Sequence, residues 1–205
     1  MTSILLAFSL LNSPRSADSI AEFFPLNPGD KYTYIETAGS AAYKVTDTVG
    51  EIVKIKEEDA TPVGTKSGAT DNGSTYYRIV DDTVYVIAYD PKTPLDEAIP
   101  VMKIGDREVK WDFAGMTSVL DDKNTAMIIK GSSHKAGQKQ VLGQKRDIYE
   151  VTLDIQVGAD KGGFKSKQVA EYARDIGLVM MKETSIINKK KTERTRTLSE
   201  YKPKG

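Results

Sequence analysis

The sequence predicts an all-β or β-rich single domain, a curved antiparallel sheet or incomplete barrel laid out as a meander. Three observations carry that expectation. Past residue 30 apolar residues recur at period 2, turn residues punctuate the chain at regular spacing, and windows of helical periodicity are few. No repeat of roughly 20 to 50 residues is visible, which argues against propellers and solenoids. With 205 residues, 39% hydrophobic and 28% charged, the chain has the composition of an ordinary soluble globular domain with a sizeable core.

Residues 1–19 are expected to form a signal peptide or a poorly ordered segment, and residues 20–205 the β-rich domain. Ile4 to Leu11 (ILLAFSLL) is the one dense apolar run. It is too short for a membrane-spanning helix, which needs roughly 20 residues, but suits the apolar region of a signal peptide. No Lys or Arg precedes it, and Arg15 disturbs a cleavage after Ala17. A start further upstream would supply the missing basic residue; the plainer alternative is a first strand or helix packed on the core. With no Cys to acylate, an exported form is expected to be free rather than lipid-tethered.

The strands follow in order. KYTYIE (Lys31 to Glu36) and AYKVTDTV (Ala42 to Val49) alternate, and Gly50 turns the chain into EIVKIK (Glu51 to Lys56). Glu57 to Ser74 loses apolar density and reads as a loop. TYYRIV (Thr75 to Val80), Asp81-Asp82 and TVYVIAY (Thr83 to Tyr89) spell a hairpin. A rigid connection with Pro91, Pro94 and Pro100 leads to EVKWDF (Glu108 to Phe113), which carries the single Trp, Trp111. Asp121 to Gly143 reads as two short strands, TAMIIK and KQVL, joined by the polar GSSHKAGQ. Arg146 to Val157 is a long strand with a bulge at Tyr149-Glu150. Ser166 to Arg174, Leu178 to Ile187 and Thr192 to Tyr201 complete an antiparallel meander.

Several chemistries are excluded by composition. Without Cys there is no disulfide, Cys-ligated zinc, iron–sulfur cluster or thiol nucleophile, and one His cannot build a multi-His metal site within a chain. No glycine pattern suits a nucleotide, so no cofactor is expected. Asp81-Asp82 and Asp121-Asp122 lack the alternating spacing of a calcium loop, and no metal is expected. Ser132, Ser133, His134 and Lys135 are the one hydrolase candidate: Ser132 and Lys135 fit Ser-x-x-Lys, without the elements that accompany it in serine acyl-enzymes. The favoured reading of His134 is an exposed loop residue.

Charge is neutral in sum, with 29 basic and 29 acidic residues, but unevenly placed. Residues 161–205 hold 12 basic and 5 acidic side chains, and the remainder 17 and 24. Lys189, Lys190, Lys191, Arg194 and Arg196 form a candidate patch for an anionic partner; the plainer reading is protection of an edge strand. Few aromatics interleave with these charges, so nucleic acid is not an expected partner. The tyrosines and Trp111 are the candidate lining of a concave pocket, with Tyr32, Tyr34, Tyr76, Tyr85, Trp111 and Tyr172 as candidate ligand contacts and core packing as the alternative.

FFPLNPGDKYTY (Phe23 to Tyr34), STYYRIVDDTVYVIAY and EYARDIGLVMMKE together resemble a group of bacterial secreted domains with an F-P-L-x-x-G-x-x-W-x-Y opening. Tyr32 stands where that group usually has Trp, and Asp175 where Gly is common. The resemblance covers residues 23 to 201 and implies a curved antiparallel sheet, loosely like the lipoprotein-carrier (LolA-like) envelope proteins; it brings no catalytic residues. The function expected is a non-enzymatic periplasmic or secreted bacterial domain that binds a lipid or other hydrophobic small molecule on a concave face, or an envelope protein partner. The alternatives are a structural or protein-interaction domain with a filled core, and more remotely the serine hydrolase; the alternative location is the cytoplasm.

Overall fold

The structure is a computed structural model describing residues 18–117, 125–158 and 163–204. The Ile4–Leu11 run and Asp121-Asp122 lie outside the described residues. A one-turn helix, α1 (Ile20–Phe23), precedes β1 (Lys31–Ala38), β2 (Ala41–Val49), β3 (Val53–Ile55), β4 (Glu58–Ser67), β5 (Thr70–Val80), β6 (Thr83–Ala88) and β7 (Ile99–Lys103). Then come β8 (Val109–Thr117), β9 (Thr125–Val141), β10 (Gln144–Val157), β11 (Phe164–Ala173), β12 (Gly177–Ile187) and β13 (Lys190–Lys202).

The sheet runs β7-β6-β5-β4-β2-β1-β13-β12-β11-β10-β9-β8, with β3 added beside β4, and its ladders are antiparallel. This is the expected single-domain antiparallel meander, curled into a nearly closed barrel. The first and last strands are neighbours, paired from Lys31↔Lys202 to Ala38↔Arg194. The two ends of the order, β7 and β8, are consecutive in sequence and meet across a seam that side chains bridge. Trp111 Nε1 donates to the Pro100 carbonyl at 3.3 Å, and the Ser133 hydroxyl donates to the Lys103 carbonyl.

Period-2 alternation sends one face of each strand inward. Val84, Met102, Trp111, Ile129, Tyr149 and Val151 form the main core with Ile20 and Phe23 of α1. Tyr32, Tyr34, Ile148, Ala173, Ile176 and Leu198 form a second cluster around β1 and β13. A third lies on the outer face of β5 and β6, where Tyr76 and Tyr85 pack with Ile55, Ala60, Ile87 and Ala88 under β3 and β4. α1 stops one end of the barrel. Phe23 meets the Tyr149 ring edge-on at 4.8 Å, and the Asp175 amide donates to the Glu22 carbonyl at 2.6 Å.

Four expectations are corrected. The Glu57–Ser74 loop is the hairpin of β4 and β5. Thr70 to Gly73 are exposed, so the strand there has no buried face to write in apolar residues. GSSHKAGQ is the middle of one 17-residue strand, β9, rather than a connection. The irregularity of β10 against β9 lies between Asp147 and Tyr149 rather than at Tyr149-Glu150. Finally, β13 is not an edge strand, because β1 and β12 pair with it on both sides, so its charges do not protect an edge. The hairpin at Asp81-Asp82 is as read: Val80 pairs with Thr83, and Asp81 takes the positive φ of 50° that such tight turns use.

Gly131 explains a break in the β9 pattern. It pairs with Trp111, and a Cβ there would lie 2.0 Å from the indole Cε2, so the indole occupies the space a side chain would need. Gly131→Ala is expected to push Trp111 off the seam and lower stability by about 1–3 kcal/mol through overpacking. A lower thermal midpoint with red-shifted emission of the single tryptophan checks this.

Candidate functional site

A cavity of about 320 Å³ lies inside the barrel. That volume is at the lower end of the roughly 300–1,000 Å³ found for small-molecule sites. Phe24, Pro25 and Leu26, the residues that follow α1, line it at the stoppered end. Phe24 holds its place against the rings of Tyr77 at 5.1 Å and Tyr172 at 5.8 Å. The walls are the inward residues of the strands: Tyr32 and Tyr34 from β1, Val151 and Leu153 from β10, Ala170 and Tyr172 from β11.

Phenols give this lining its polar points. Burial raises the Tyr172 hydroxyl to about 12 and holds the Tyr34 and Tyr77 hydroxyls well above their ordinary value, so all three are neutral donors and acceptors at physiological pH. Tyr34 donates to the Leu178 carbonyl at 3.2 Å. Thr75, Tyr89 and Gln168 add neutral polar groups to the lining, and Tyr89 is 46% exposed, so the cavity communicates with solvent there.

Further along β1, away from the stopper, the inner wall becomes ionic. Glu36, 2% exposed, accepts from Arg196 Nε at 2.9 Å, Arg194 at 3.1 Å and the Tyr43 hydroxyl at 2.6 Å. Arg196 also reaches Asp47 at 3.1 Å and lies over the Tyr34 ring at 5.2 Å. Arg194 reaches Glu183 at 2.5 Å, and Glu183 accepts from the Ser166 and Ser185 hydroxyls at 2.9 Å each. Burial works against the charges of Glu36 and Glu183, but these partners outweigh it and hold both carboxyls below their ordinary value. Asp47 goes the other way: its burial outweighs Arg196 and Thr65, and its carboxyl is raised.

On the far side of α1, Arg174 pairs with Asp18, with Glu22 at 2.6 Å and with Asp147 at 3.3 Å, while Lys135 reaches Asp18 at 2.7 Å. These pairs fasten the stopper to β9, β10 and the β11–β12 turn. A smaller polar cavity of about 250 Å³ lies beside them.

No family model matches the chain, and no curated protein matches it. Solved structures similar to it include a protein of Parabacteroides distasonis ATCC 8503 named as a lipoprotein, 11% identical, with a TM-score of 0.51 over 88% of this chain and 98% of that one. Another is a protein of Bacteroides fragilis NCTC 9343 named as exported with a YmcC-like fold, 12% identical, TM-score 0.45, over 88% and 99%. At such identities the likeness is one of fold. It carries no residue role.

The structure brings Tyr32, Tyr34 and Tyr172 together in the cavity. Tyr76 and Tyr85 lie on the outer face, and Trp111 fills the seam. Of the basic patch, Lys189, Lys190 and Lys191 are exposed at the β12–β13 turn, whereas Arg194 and Arg196 turn inward to carboxylates. Ser133 is buried and bonded to Lys103, and the next residue, His134, is exposed on the opposite face. Ser132 and Lys135 are three apart on a strand and so also lie on opposite faces, which leaves Ser-x-x-Lys without its contact. Sequence reasoning missed Phe24, Asp47, Tyr77 and Gln168 as lining; period 2 from Val45 signals Asp47, but nothing separates Tyr77 from Tyr76.

Glu36 is the shared acceptor of both arginines. Glu36→Gln is expected to cost about 3–5 kcal/mol, the range for breaking a buried ion pair on one side. The depressed carboxyls of Glu36 and Glu183 contribute stability above the unfolded value of 4.5 that is lost as pH falls through their folded values. Glu36→Gln is therefore also expected to flatten the fall of stability at acid pH, and Asp47→Asn, whose parent carboxyl is raised, to steepen it. Denaturant melts of the three proteins between pH 7 and 3 check both signs.

Proposed function

We propose that the protein is a non-enzymatic domain of the bacterial envelope, periplasmic or secreted, whose barrel holds a lipid or other hydrophobic small molecule. The observation that carries this reading is the cavity itself. An interior close-packed by side chains leaves few voids larger than a water molecule, whereas this lumen has about 320 Å³ behind Tyr32, Tyr34 and Tyr172. Apolar walls with a few neutral hydrogen-bonding groups are the usual chemistry of small-molecule sites. The fold likeness to a protein named as a lipoprotein supports the envelope location.

A binding role fits the chemistry better than catalysis. The Ser133 hydroxyl donates to the Lys103 carbonyl and His134 faces away from it, and the carboxylates of the inner wall are bonded to arginines and hydroxyls rather than aimed at the cavity as a free pair. The cavity of about 320 Å³ within the lining supports this reading over the filled-core alternative.

The test is mass spectrometry of protein purified without detergent, under native conditions and after solvent extraction. A co-purifying apolar compound is expected. Ala170→Phe, which projects a ring into the lumen, is expected to lose that compound while keeping its thermal midpoint within a few degrees. Protein free of any adduct that also fails to displace a fluorescent lipophilic probe would overturn the reading.

A further inference from the structure

Resting on the ligand-binding reading above, we infer that the lumen selects an uncharged amphiphile, and discriminates against a fatty acid or other anionic lipid of the same chain length. The inference comes from which polar groups of the lining are free and which are spent. Among the described residues Arg196 is the one cation of the lining. Its guanidinium is already engaged by Glu36 at 2.9 Å and Asp47 at 3.1 Å and covers the Tyr34 ring. Arg194, the next cation along β13, is engaged by Glu36 and Glu183. Neither presents an unspent positive charge to a ligand's carboxylate or phosphate.

The balance of the wall points the same way. Glu36, Asp47 and Glu183 face Arg194 and Arg196, which leaves one carboxylate in excess, and among the described residues Asp47 is the one carboxylate in the lining itself. An anionic head brought into the lumen would lose its hydration without gaining a counter-charge, and would approach Asp47. Apart from Arg196 Nη2, whose guanidinium charge is already met by two carboxylates, the groups that remain for a ligand are neutral. The Tyr172 hydroxyl has no hydrogen-bond partner among the described residues, and Gln168 likewise keeps its carboxamide free on the same inward face of β11, beyond Ala170. Phenol and carboxamide both donate and accept, which suits hydroxyl, ester or ketone oxygens. An excess carboxylate without a free cation would also admit an alkyl cation on charge alone, but the ammonium would surrender its hydration to a single acid already shared with Arg196 and Thr65. A neutral head avoids both costs.

The experiment is displacement of N-phenyl-1-naphthylamine, an uncharged probe, from the full chain by three ligands of equal tail length: monodecanoylglycerol, decanoate and decyltrimethylammonium, at pH 7.5. Monodecanoylglycerol is expected to bind at least tenfold more tightly than either charged ligand. Asp47→Asn, which removes the excess charge and frees one Arg196 donor, is expected to narrow the gap to decanoate severalfold. Decanoate or the cation binding the parent protein as tightly as the glyceride would overturn the selectivity and leave the binding role standing. Failure of the probe and of all three ligands to bind would overturn the binding role itself.

Discussion

The pairing of β1 with β13 is the contact on which the barrel depends. It joins segments at opposite ends of the chain, Lys31–Ala38 and Lys190–Lys202, and so closes the longest loop in the molecule. Without it the sheet would be two separate meanders, β1 to β7 and β8 to β13, each with an apolar face open to water. Backbone bonds alone do not mark this pairing from others. Side chains do: Glu36 reaches Arg194 and Arg196, the Tyr32 and Tyr201 rings stack at 5.0 Å, and the Tyr201 hydroxyl donates to Asp30 at 2.9 Å. Asp30 also accepts from the Lys204 amide, which ties the C-terminal segment back to the start of β1.

That closure divides the interior into two chemistries. Near α1 the walls are rings and branched aliphatics, stiff groups that meet across the lumen without collapsing into it. Away from α1 the wall is ionic, and its buried charges are each held by two or more partners, as a low-dielectric site requires. Such a network is a weak source of net stability, since desolvation offsets much of the attraction. Its structural effect is on register. A one-residue slip of β13 would turn Arg194 and Arg196 outward and leave Glu36 buried without a counter-charge.

Much of the fold was legible because strands with one wet face write their period into the sequence. TYYRIV-DD-TVYVIAY and the segments after Arg146 show it. The β4–β5 hairpin and the centre of β9 did not, for different reasons. The first runs past the core, so neither face is apolar; the second carries Gly131 for the Trp111 ring and Ser133 for a backbone carbonyl. The cavity was legible in part. Tyr32, Tyr34 and Tyr172 follow from alternation, but Tyr76 and Tyr77 are adjacent, and which of them faces inward is set by a register shift between them against β6. Arg194 and Arg196 read as a surface patch because two of their carboxylates, Glu36 and Asp47, lie far away in sequence on β1 and β2.

A lumen held open by a nearly closed ring of strands is the central claim, and electron density inside the barrel tests it most directly. Crystals of protein purified from producing bacteria without detergent are predicted to show continuous non-protein density from Phe24 to Gln168, flanked by Tyr34 and Tyr172. A lumen filled by inward-collapsed side chains, or holding ordered water alone, would contradict it.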